Sequence, residues 1–551
     1  MGTAPGTQVL TQGSAIDSRL YDSKQMAKFA LIKTLRRAYN IARLSRKSKI
    51  PTDELIEILH QQTSRRRLLQ GGLFATGAIA GVTLSYQRHS IAISTSSKVL
   101  IVGAGIAGLT AAYRLHQAGV GVEIVEARNE IGGRIRSFTN AAGTSTTVEL
   151  GGEFIDSEHR NIQALAAELG LQLSDLSAVD RGLIEDTWYF EGRKIPLEQI
   201  VQDFIPLAPI LEKDAASAEN LTSPEAIKLD RTSITQYLAQ QPISPTLRKL
   251  IATAYTAEYG REAAEQSSLN LIYLIGTNTE DFSIYSNSDE RYHIIGGNQQ
   301  LLQRLAQPLT SFIEPETELE AIRSLSDGRY RASFRAGTRV FERNYERVLL
   351  AIPFSVLRTV RLTVDLPPAK RQVINSLCYG TNSKLITAYK ERVWRDRYQS
   401  TASVFTDLDF QNTWEPTRYS SGKSGLITNF CGGRYGFELG KGTTQAQAQK
   451  FYGQIEKVFP GLRSQRTGEV IRAYWTGEPY SAGSYACYLV GQWTQFYGRE
   501  RERVGNLLFA GEHCSQDYQG YMEGGCETGE IAAQEILKDL NIKKATALKH
   551  C

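Results

Sequence analysis

The 551-residue sequence has few of the residues that build metal sites and disulfide scaffolds. It contains six cysteines and seven histidines, and none of them forms a C-x-x-C or an H-E-x-x-H motif. Zinc sites, dithiol redox pairs and zinc hydrolases are recognised by such spacings. We therefore expect no metal site, and six cysteines in so long a chain are too few for a dense disulfide scaffold.

The sequence also lacks a P-loop, and it has no excess of basic residues after residue 97. Its Gly-Lys-Ser tripeptide, residues 422–424, has Thr417 where a P-loop needs its first glycine. Residues 1–97 carry 14 Lys or Arg against 5 Asp or Glu, which leaves 49 basic and 53 acidic residues in the rest of the chain. A nucleic-acid-binding domain would have a basic face. An ATPase and a nucleic-acid partner are therefore not expected.

What the sequence does contain begins with a basic leader. Residues 64–86 read SRRRLLQGGLFATGAIAGVTLSY, three arginines before a weakly apolar stretch, and resemble a twin-arginine export signal. The apolar part could reach across a membrane, but its four glycines and one glutamine disfavour a permanent span. We expect export by the twin-arginine machinery to the periplasm or an equivalent lumen; a retained membrane anchor and a buried helix are the alternatives.

A dinucleotide site is predicted directly after this leader. The apolar run 99–102 meets Gly103-x-Gly105-x-x-Gly108 and then a helical apolar pattern, which is typical of a strand, a tight turn and a helix. Gly103 permits the turn, Gly105 lets the backbone approach a pyrophosphate, and Gly108 lets the helix lie close to the strand.

The residues on either side of this motif complete the prediction. Ile106 and Ala107 open the helix, whose N-terminus attracts phosphate. A second apolar run, residues 122–125, ends at Glu126, where a carboxylate can accept hydrogen bonds from ribose hydroxyls and would repel the 2′-phosphate of NADP.

Two further glycine-rich segments follow, and the first, directly after Glu126, resembles the second fingerprint of FAD-containing oxidases, which implies FAD rather than NAD. Residues 126–137 read EARNEIGGRIRS, in which Gly133 allows a close backbone approach and Arg134 can neutralise a pyrophosphate. Near the other end, residues 506–513 (NLLFAGEH) predict a strand. Residues 519–525 (QGYMEGG) precede a helical pattern over 526–540, and a glycine-rich helix N-terminus is again an anion site. Both ends of the chain are thus predicted to hold one cofactor.

In this combination of motifs, residues 98–540 resemble the flavin amine oxidase family, which includes monoamine, polyamine and L-amino acid oxidases. The resemblance implies an α/β fold with a discontinuous Rossmann-like FAD-binding domain and an α+β substrate domain with a helical insert. The implied division is a leader at 1–97, FAD-binding parts at 98–160, 291–355 and 496–540, a substrate domain at 161–290 and 356–495, and a tail at 541–551.

The same resemblance implies the residues that bind FAD. They are Gly103, Gly105, Ile106, Ala107, Gly108, Glu126, Ala127, Arg128, Gly133, Arg134, Gly151, Gly152, Glu153, Phe154, Leu319 (by the adenine), Gly511, Glu512, Gly520, Tyr521, Met522 and Glu523.

Three residues are implied to carry the chemistry. Lys384 corresponds to the family's lysine that holds a water against flavin N5, and a desolvated lysine there can orient water or oxygen. Tyr485 and Tyr521 correspond to the two aromatic walls that confine the substrate amine, since their ring faces attract a dipolar or cationic nitrogen.

Two positions depart from particular members of the family, and a third, Asp156, stands where polyamine oxidases have a charged residue lining the substrate channel. Ser484 stands where animal monoamine oxidases carry the cysteine that is covalently joined to flavin, so we expect non-covalent FAD. Phe154 stands where many L-amino acid oxidases carry the arginine that binds the substrate carboxylate. Asp156 is expected to line the substrate channel, where an acid favours a cationic substrate tail.

The expected activity is the oxidation of L-amino acids, with a preference for basic ones, to 2-oxo acids, ammonia and hydrogen peroxide, with molecular oxygen as acceptor. Oxidation of monoamines or polyamines is the first alternative, because Phe154 removes the best-known carboxylate ligand. A non-catalytic flavin-binding or electron-transfer module is the alternative of another class. A homodimer is possible in this family.

Overall fold

The computed structural model describes residues 94–141, 146–176, 180, 182–274, 290–418 and 422–542, with side chains from Lys98 onwards. The predicted leader lies outside these residues, apart from the backbone of residues 94–97. The predicted export signal and most of the predicted tail also lie outside them.

The described strands number 22 and run throughout this part of the chain. They are β1 Ser94–Val102, β2 Val120–Val125, β3 Ser137–Phe138, β4 Val148–Glu149, β5 Leu173–Asp175, β6 Thr187–Phe190, β7 Arg193–Lys194, β8 Tyr292–Ile294, β9 Ile313–Glu314, β10 Glu318–Ser324, β11 Tyr330–Ala336, β12 Arg339–Tyr345, β13 Arg347–Leu350, β14 Arg361–Thr363, β15 Cys378–Tyr379, β16 Ser383–Tyr389, β17 Val404–Thr406, β18 Asn412–Trp414, β19 Gly425–Cys431, β20 Arg466–Tyr474, β21 Ala486–Cys487 and β22 Leu507–Phe509.

The described α-helices number 16. They are α1 Ile106–Gln117, α2 Arg160–Glu168, α3 Leu197–Phe204, α4 Ala208–Ser217, α5 Pro224–Asp230, α6 Ile234–Ala239, α7 Pro245–Tyr259, α8 Ser268–Leu274, α9 Gln299–Ala306, α10 Phe354–Leu357, α11 Pro368–Ser376, α12 Val393–Asp396, α13 Gly433–Glu438, α14 Thr444–Val458, α15 Trp493–Phe496 and α16 Met522–Asp539. Short 3₁₀ helices cover Gln307–Phe312, Leu462–Gln465, Trp475–Gly477 and Glu512–Cys514.

A five-stranded parallel sheet forms the centre of the first structural unit, in the order β22-β13-β1-β2-β9. Its strands come from three separate stretches of chain, near residues 100, 313–350 and 507. Leu100 and Ile101 on β1 are both fully buried, because helices or sheets cover both faces of a parallel sheet. The carboxyl ends of strands from distant parts of the sequence therefore meet at one edge.

A seven-stranded mixed sheet forms the second unit, in the order β20-β16-β19-β18-β17-β6-β7. Every residue of β16 and β19 is buried. The helices α3 to α8 share one hydrophobic core with residues of this sheet, including Phe405, Trp414 and Phe430. Three of these helices begin at serines that accept a hydrogen bond from a backbone N–H of the first turn, as N-cap residues do.

A four-stranded sheet in the order β12-β11-β10-β14 packs beside the parallel sheet through a shared core. Three two-stranded ribbons, β3-β4, β5-β8 and β15-β21, connect the units. Within the described residues we find no helix with the length and apolarity that a membrane crossing requires. The same residues contain no group of three or more His, Cys, Asp or Glu side chains placed to hold a metal ion.

The packing of α1 against α16 depends on a glycine. A Cβ added at Gly529 would lie 2.4 Å from the backbone oxygen of Ala107 and 3.0 Å from the Cβ of Thr110. Real Cβ atoms do not approach so closely, so a side chain here would force the two helices apart.

We therefore expect Gly529→Ala to lower the free energy of unfolding by about 1–3 kcal/mol, the usual cost of overpacking a core. Gly453 on α14 is the matched control, since an added Cβ there meets nothing within 4 Å. Gly453→Ala should instead stabilise by up to about 1 kcal/mol through helix propensity. Urea unfolding of both variants checks this, and equal effects would contradict the packing argument.

Candidate functional site

A cleft opens at the carboxyl ends of the parallel strands and extends to the seven-stranded sheet. The empty space between its walls, the open mouth included, is about 1430 Å³. The predicted site residues that line it are Gly103, Gly105, Ile106, Ala107, Glu126, Ala127, Arg128, Gly133, Arg134, Gly151, Gly152, Leu319, Lys384, Tyr485, Gly511, Glu512, Gly520, Tyr521 and Met522.

The phosphate end of the cleft is built from backbone in close contact. Gly103 has a φ of +100°, and an added Cβ would lie 2.8 Å from the backbone oxygen of Ala351. A Cβ at Gly108 would lie 2.0 Å from the backbone oxygen of Gly103, so only glycine lets α1 approach β1. The N-terminus of α1 has no side-chain cap, so its backbone donors face the cleft as an anion site.

The ribose end has an acid that the backbone holds in place. The two carboxylate oxygens of Glu126 accept hydrogen bonds from the backbone N–H of Ala104 at 2.8 Å and of Arg128 at 3.0 Å. Each oxygen keeps a further lone pair for a hydroxyl donor. The side chain of Arg128 donates to the backbone oxygen of Gly133, and its buried Nε makes no hydrogen bond within the protein, although Glu126 Oε1 lies 3.8 Å away.

An ion pair joins the two ends of the sequence across the cleft. Arg134 Nη1 donates to Glu512 Oε1 and to the backbone oxygen of Ser484, both at 2.7 Å. The second carboxylate oxygen of Glu512 accepts a hydrogen bond from the backbone N–H of Gly520 at 2.9 Å. The N-terminal and C-terminal glycine-rich segments are thereby fixed relative to each other.

These features together fit FAD. The uncapped helix N-terminus suits a pyrophosphate, the Glu126 carboxylate suits ribose hydroxyls, and the buried Arg128 Nε is a donor with no hydrogen bond within the protein. Three glycines prevent side chains from filling the space between them.

Lys384 lies on β16 at the far wall of the cleft and is almost fully buried. Its ammonium group donates to the backbone oxygens of Glu149 at 2.8 Å and Gly151 at 2.9 Å, and to Glu153 Oε2 at 2.6 Å. An ammonium has three N–H donors, and protein acceptors take all three. To hold a water, as the family resemblance implies, Lys384 must exchange one of these bonds.

The two predicted cage tyrosines also line the cleft. The Tyr485 hydroxyl donates a hydrogen bond to the backbone oxygen of Glu258. Burial, with Glu258 and Tyr521 nearby, raises the pKa of Tyr485 well above its ordinary value, so its phenol stays neutral. Tyr521 is the N-cap residue of α16, and its ring lies 5.2 Å from the ring of His159 with the edge toward it.

Five predicted site residues do not line the cleft. Gly108 serves helix packing, as described above, and Glu153 pairs with Lys384 behind the wall. Phe154 packs its ring edge-on to Trp414 in the core of the substrate domain, 6.0 Å between centroids.

The other two differ from the sequence prediction because they are structural hydrogen-bond acceptors. Asp156 is buried, and its carboxylate accepts the backbone N–H of Glu290 at 2.6 Å. The carboxylate of Glu523 accepts hydrogen bonds from the backbone N–H and side-chain amide of Asn161 and from the backbone N–H of Ile162. Glu523 thus caps the start of α2 instead of facing the cofactor space.

Several lining residues were not predicted from the sequence: Thr317, Ala351, Ile352, Val356, Val360, Asn382, Phe430, Trp475, Tyr480 and Ser481. Ala351 and Ile352 directly follow β13, so the rule that ligands bind at the carboxyl ends of parallel strands could have found them. Phe430 and Trp475 belong to the distant seven-stranded sheet or its flank and have no local motif.

Comparison with known proteins agrees with this geometry. Residues 106–537 match the family profile of flavin-containing amine oxidoreductases. The chain is 26% identical to the flavin-containing amine oxidase A of Sus scrofa over 461 residues, which is 80% of this chain and 85% of that protein. It is 25% identical to the amine oxidase B of Homo sapiens over 469 residues, or 81% and 87% of the two chains.

Solved structures show the same fold. Cyclohexylamine oxidase from Brevibacterium oxydans has a TM-score of 0.71 and 23% identity, with 81% of this chain and 99% of that one covered. Wild-type putrescine oxidase bound to putrescine has a TM-score of 0.70 and 21% identity, with 80% and 99% covered. The predicted fold class, an α/β monoamine-oxidase-like architecture, is confirmed.

A substitution of Glu523 can test whether this residue caps α2 or binds the cofactor. We expect Glu523→Ala to lower the free energy of unfolding by about 2–3 kcal/mol, since hydrogen bonds to a charged group contribute about 1.5–3 kcal/mol. Flavin content per folded molecule should not change. The control Glu535→Ala, on the exposed side of the same helix, should change stability by less than about 0.5 kcal/mol. Loss of flavin from stable, folded Glu523→Ala protein would contradict the capping role.

Proposed function

Since the chain belongs to the family of flavin-containing amine oxidoreductases and is an FAD-dependent amine oxidase, we propose that it oxidises amines with no carboxylate beside the amino group. The products are an imine, which hydrolyses to an aldehyde or ketone and ammonia, and hydrogen peroxide from molecular oxygen. The proposal rests on one observation. Each cation that lines the described part of the cleft is already bonded to protein groups or lies at the ribose end.

A carboxylate in the cleft needs a cationic partner with a free donor, because an unpaired buried charge is strongly disfavoured. The cations along the described lining are Arg128, Arg134 and Lys384. Arg134 pairs with Glu512, and Lys384 spends its three donors on protein acceptors. Arg128 lies at the ribose end beside Glu126. None is therefore available beside the tyrosine cage for the carboxylate of an amino acid.

The relatives' names support the same substrate class, since they are described as amine, cyclohexylamine and putrescine oxidases. Oxidation of L-amino acids, basic ones included, is the second candidate, which the sequence resemblance favoured. It would need a carboxylate ligand from a residue outside the described part of the chain.

Bound FAD supplies the two-electron acceptor for the carbon beside nitrogen and the donor to oxygen. The protein positions the substrate amine and excludes water from the cleft. Tyr485 and Tyr521 present neutral aromatic faces that attract the amine nitrogen without fixing it as a charged salt bridge. Phe430 and Trp475 complete an apolar wall that excludes water. Because this cage favours the neutral amine, turnover should rise with pH as the substrate loses its proton.

Matched pairs of substrates separate the two candidates. We expect 3-methylbutylamine, agmatine and 2-phenylethylamine to give kcat/KM values at least about 100-fold above those of L-leucine, L-arginine and L-phenylalanine. An uncompensated carboxylate costs several kcal/mol, and each 1.4 kcal/mol is about tenfold. Each pair differs only in the carboxylate. A peroxide-coupled assay measures the ratios, and a preference for the amino acid in every pair would instead support L-amino acid oxidation.

The chemistry of the lining also favours FAD that is not covalently bound. Ser484 lines the cleft and donates its hydroxyl to the side-chain oxygen of Asn382 at 2.7 Å. None of the five described cysteines lines the cleft. A thioether to flavin needs a thiol at that wall, and the described residues offer a hydroxyl instead.

Denaturation tests this attachment. We expect acid- or guanidinium-denatured protein to release its flavin entirely into the filtrate of a size-exclusion membrane. The absorbance of filtrate and retained polypeptide is compared, with a covalent amine oxidase as the positive control. Flavin that stays with the denatured polypeptide would contradict the proposal.

A further inference from the structure

We propose that Glu153 is the counter-ion that sets the charge and position of Lys384 at the wall of the cofactor cleft, with Trp414 as its anchor. The inference rests on the proposed function, because Lys384 is assigned to the flavin by family resemblance. Glu153 is a positioning residue: it acts through Lys384, and its carboxylate does not line the cleft.

The ion pair is buried and short. Lys384 Nζ lies 2.6 Å from Glu153 Oε2, and the side chains are 3% and 7% exposed. Two ions removed from water remain charged only when each is paired and hydrogen-bonded. Lys384 meets this condition through its two additional bonds to the backbone oxygens of Glu149 and Gly151.

Glu153 meets the same condition through Trp414. The indole N–H of Trp414 donates to Glu153 Oε1 at 3.0 Å, and the tryptophan is fully buried on β18. Its ring also lies 5.3 Å from Lys384 Nζ. On the other side, the side-chain amide of Asn298 donates to the backbone oxygen of Glu153 at 2.7 Å. Both the backbone and the carboxylate of Glu153 are thus fixed.

The counter-charge of Lys384 lies outside the cleft lining. Lys384 lines the cleft and Glu153 does not, so we expect a bound flavin to meet a lysine whose charge is balanced by a group that does not touch the flavin. A balanced cation orients groups without strongly attracting the negative charge that reduced flavin carries. Removal of Glu153 would leave an unbalanced cation at that wall.

Glu153 is the carboxylate that pairs with Lys384, because the other groups around this lysine do not titrate or are paired elsewhere. Across the neighbouring strands its backbone partners are Phe430 and Ala473, neither of which titrates. The Glu149 carboxylate bonds to His293 Nε2 at 2.9 Å, and the bond from Lys384 goes to the Glu149 backbone oxygen. At the cleft itself, Arg134 and Glu512 neutralise each other.

The test is the midpoint potential of the flavin in the whole enzyme, measured with a chemical reductant and a reference dye between pH 6 and pH 9. No amine is needed, so the outcome is independent of the substrate proposal. We expect Glu153→Gln to shift the ratio of reduced to oxidised flavin at least tenfold toward reduced at pH 6, which is about 30 mV for a two-electron couple. The pH dependence of the variant's potential is compared with that of the wild-type enzyme.

Three companion variants separate charge balance from structural support. The double variant Glu153→Gln/Lys384→Met removes both charges and should return the potential to the wild-type value. Trp414→Phe keeps the ring but loses the N–H donor, and should give a smaller shift in the same direction. Glu415→Gln disturbs an equally buried carboxylate, paired with Arg395 outside the cleft lining, and should leave the potential unchanged.

The inference would be overturned if folded Glu153→Gln protein had the potential and pH dependence of the wild type and only its melting temperature were lower. Glu153 would then have a structural role alone. If Glu153→Gln does not fold, Trp414→Phe decides: an unchanged potential there overturns the inference equally. A wild-type enzyme that binds flavin but oxidises no amine would refute the proposed function alone, since the potentials would still report on Glu153.

Discussion

The site depends on how closely three glycine-rich stretches of backbone approach one another at the carboxyl edge of the parallel sheet. A Cβ at Gly108 would overlap the backbone of Gly103, and one at Gly529 would overlap that of Ala107. Because glycine has no side chain at these two positions, α1 lies against both β1 and α16, and its N-terminus opens into the cleft. The cofactor space exists because nothing but hydrogen atoms projects into these gaps.

Long-range polar bonds then convert this close approach into a defined site. Arg134 and Glu512 are 378 residues apart in sequence and bond at 2.7 Å. Lys384 and Glu153 are 231 residues apart and bond at 2.6 Å. The first pair holds the two FAD-binding ends together, and the second joins the substrate sheet to the segment after β4. The Lys384–Glu153 pair is buried, so removal of one partner would leave a charge that the interior cannot solvate, whereas the side chain of Arg134 is 22% exposed.

The same residue types serve chemistry in one place and architecture in another. Glu126 offers free lone pairs to the cleft, whereas Glu523 spends its carboxylate on the first turn of α2. Asp156 has an acid's affinity for a cationic tail but meets a backbone N–H instead. Among the cleft's aromatic residues, Tyr485 is neutral and held by a backbone oxygen, which suits confinement of an amine better than capture of a charge.

The sequence by itself determined the fold class and the cofactor, because glycine spacing, strand patterning and a terminal acid are local requirements of a dinucleotide turn. Gly103, Glu126, Arg134 and Glu512 all carry such local signals, and they line the cleft. Only the tertiary structure decided which side chains face that cleft. Phe154, Asp156 and Glu523 each lie within about four residues of a lining residue in sequence but do not line the cleft themselves, because each side chain is engaged elsewhere in the fold. Phe430 and Trp475 line the cleft because a distant sheet packs there, and no local pattern records that contact.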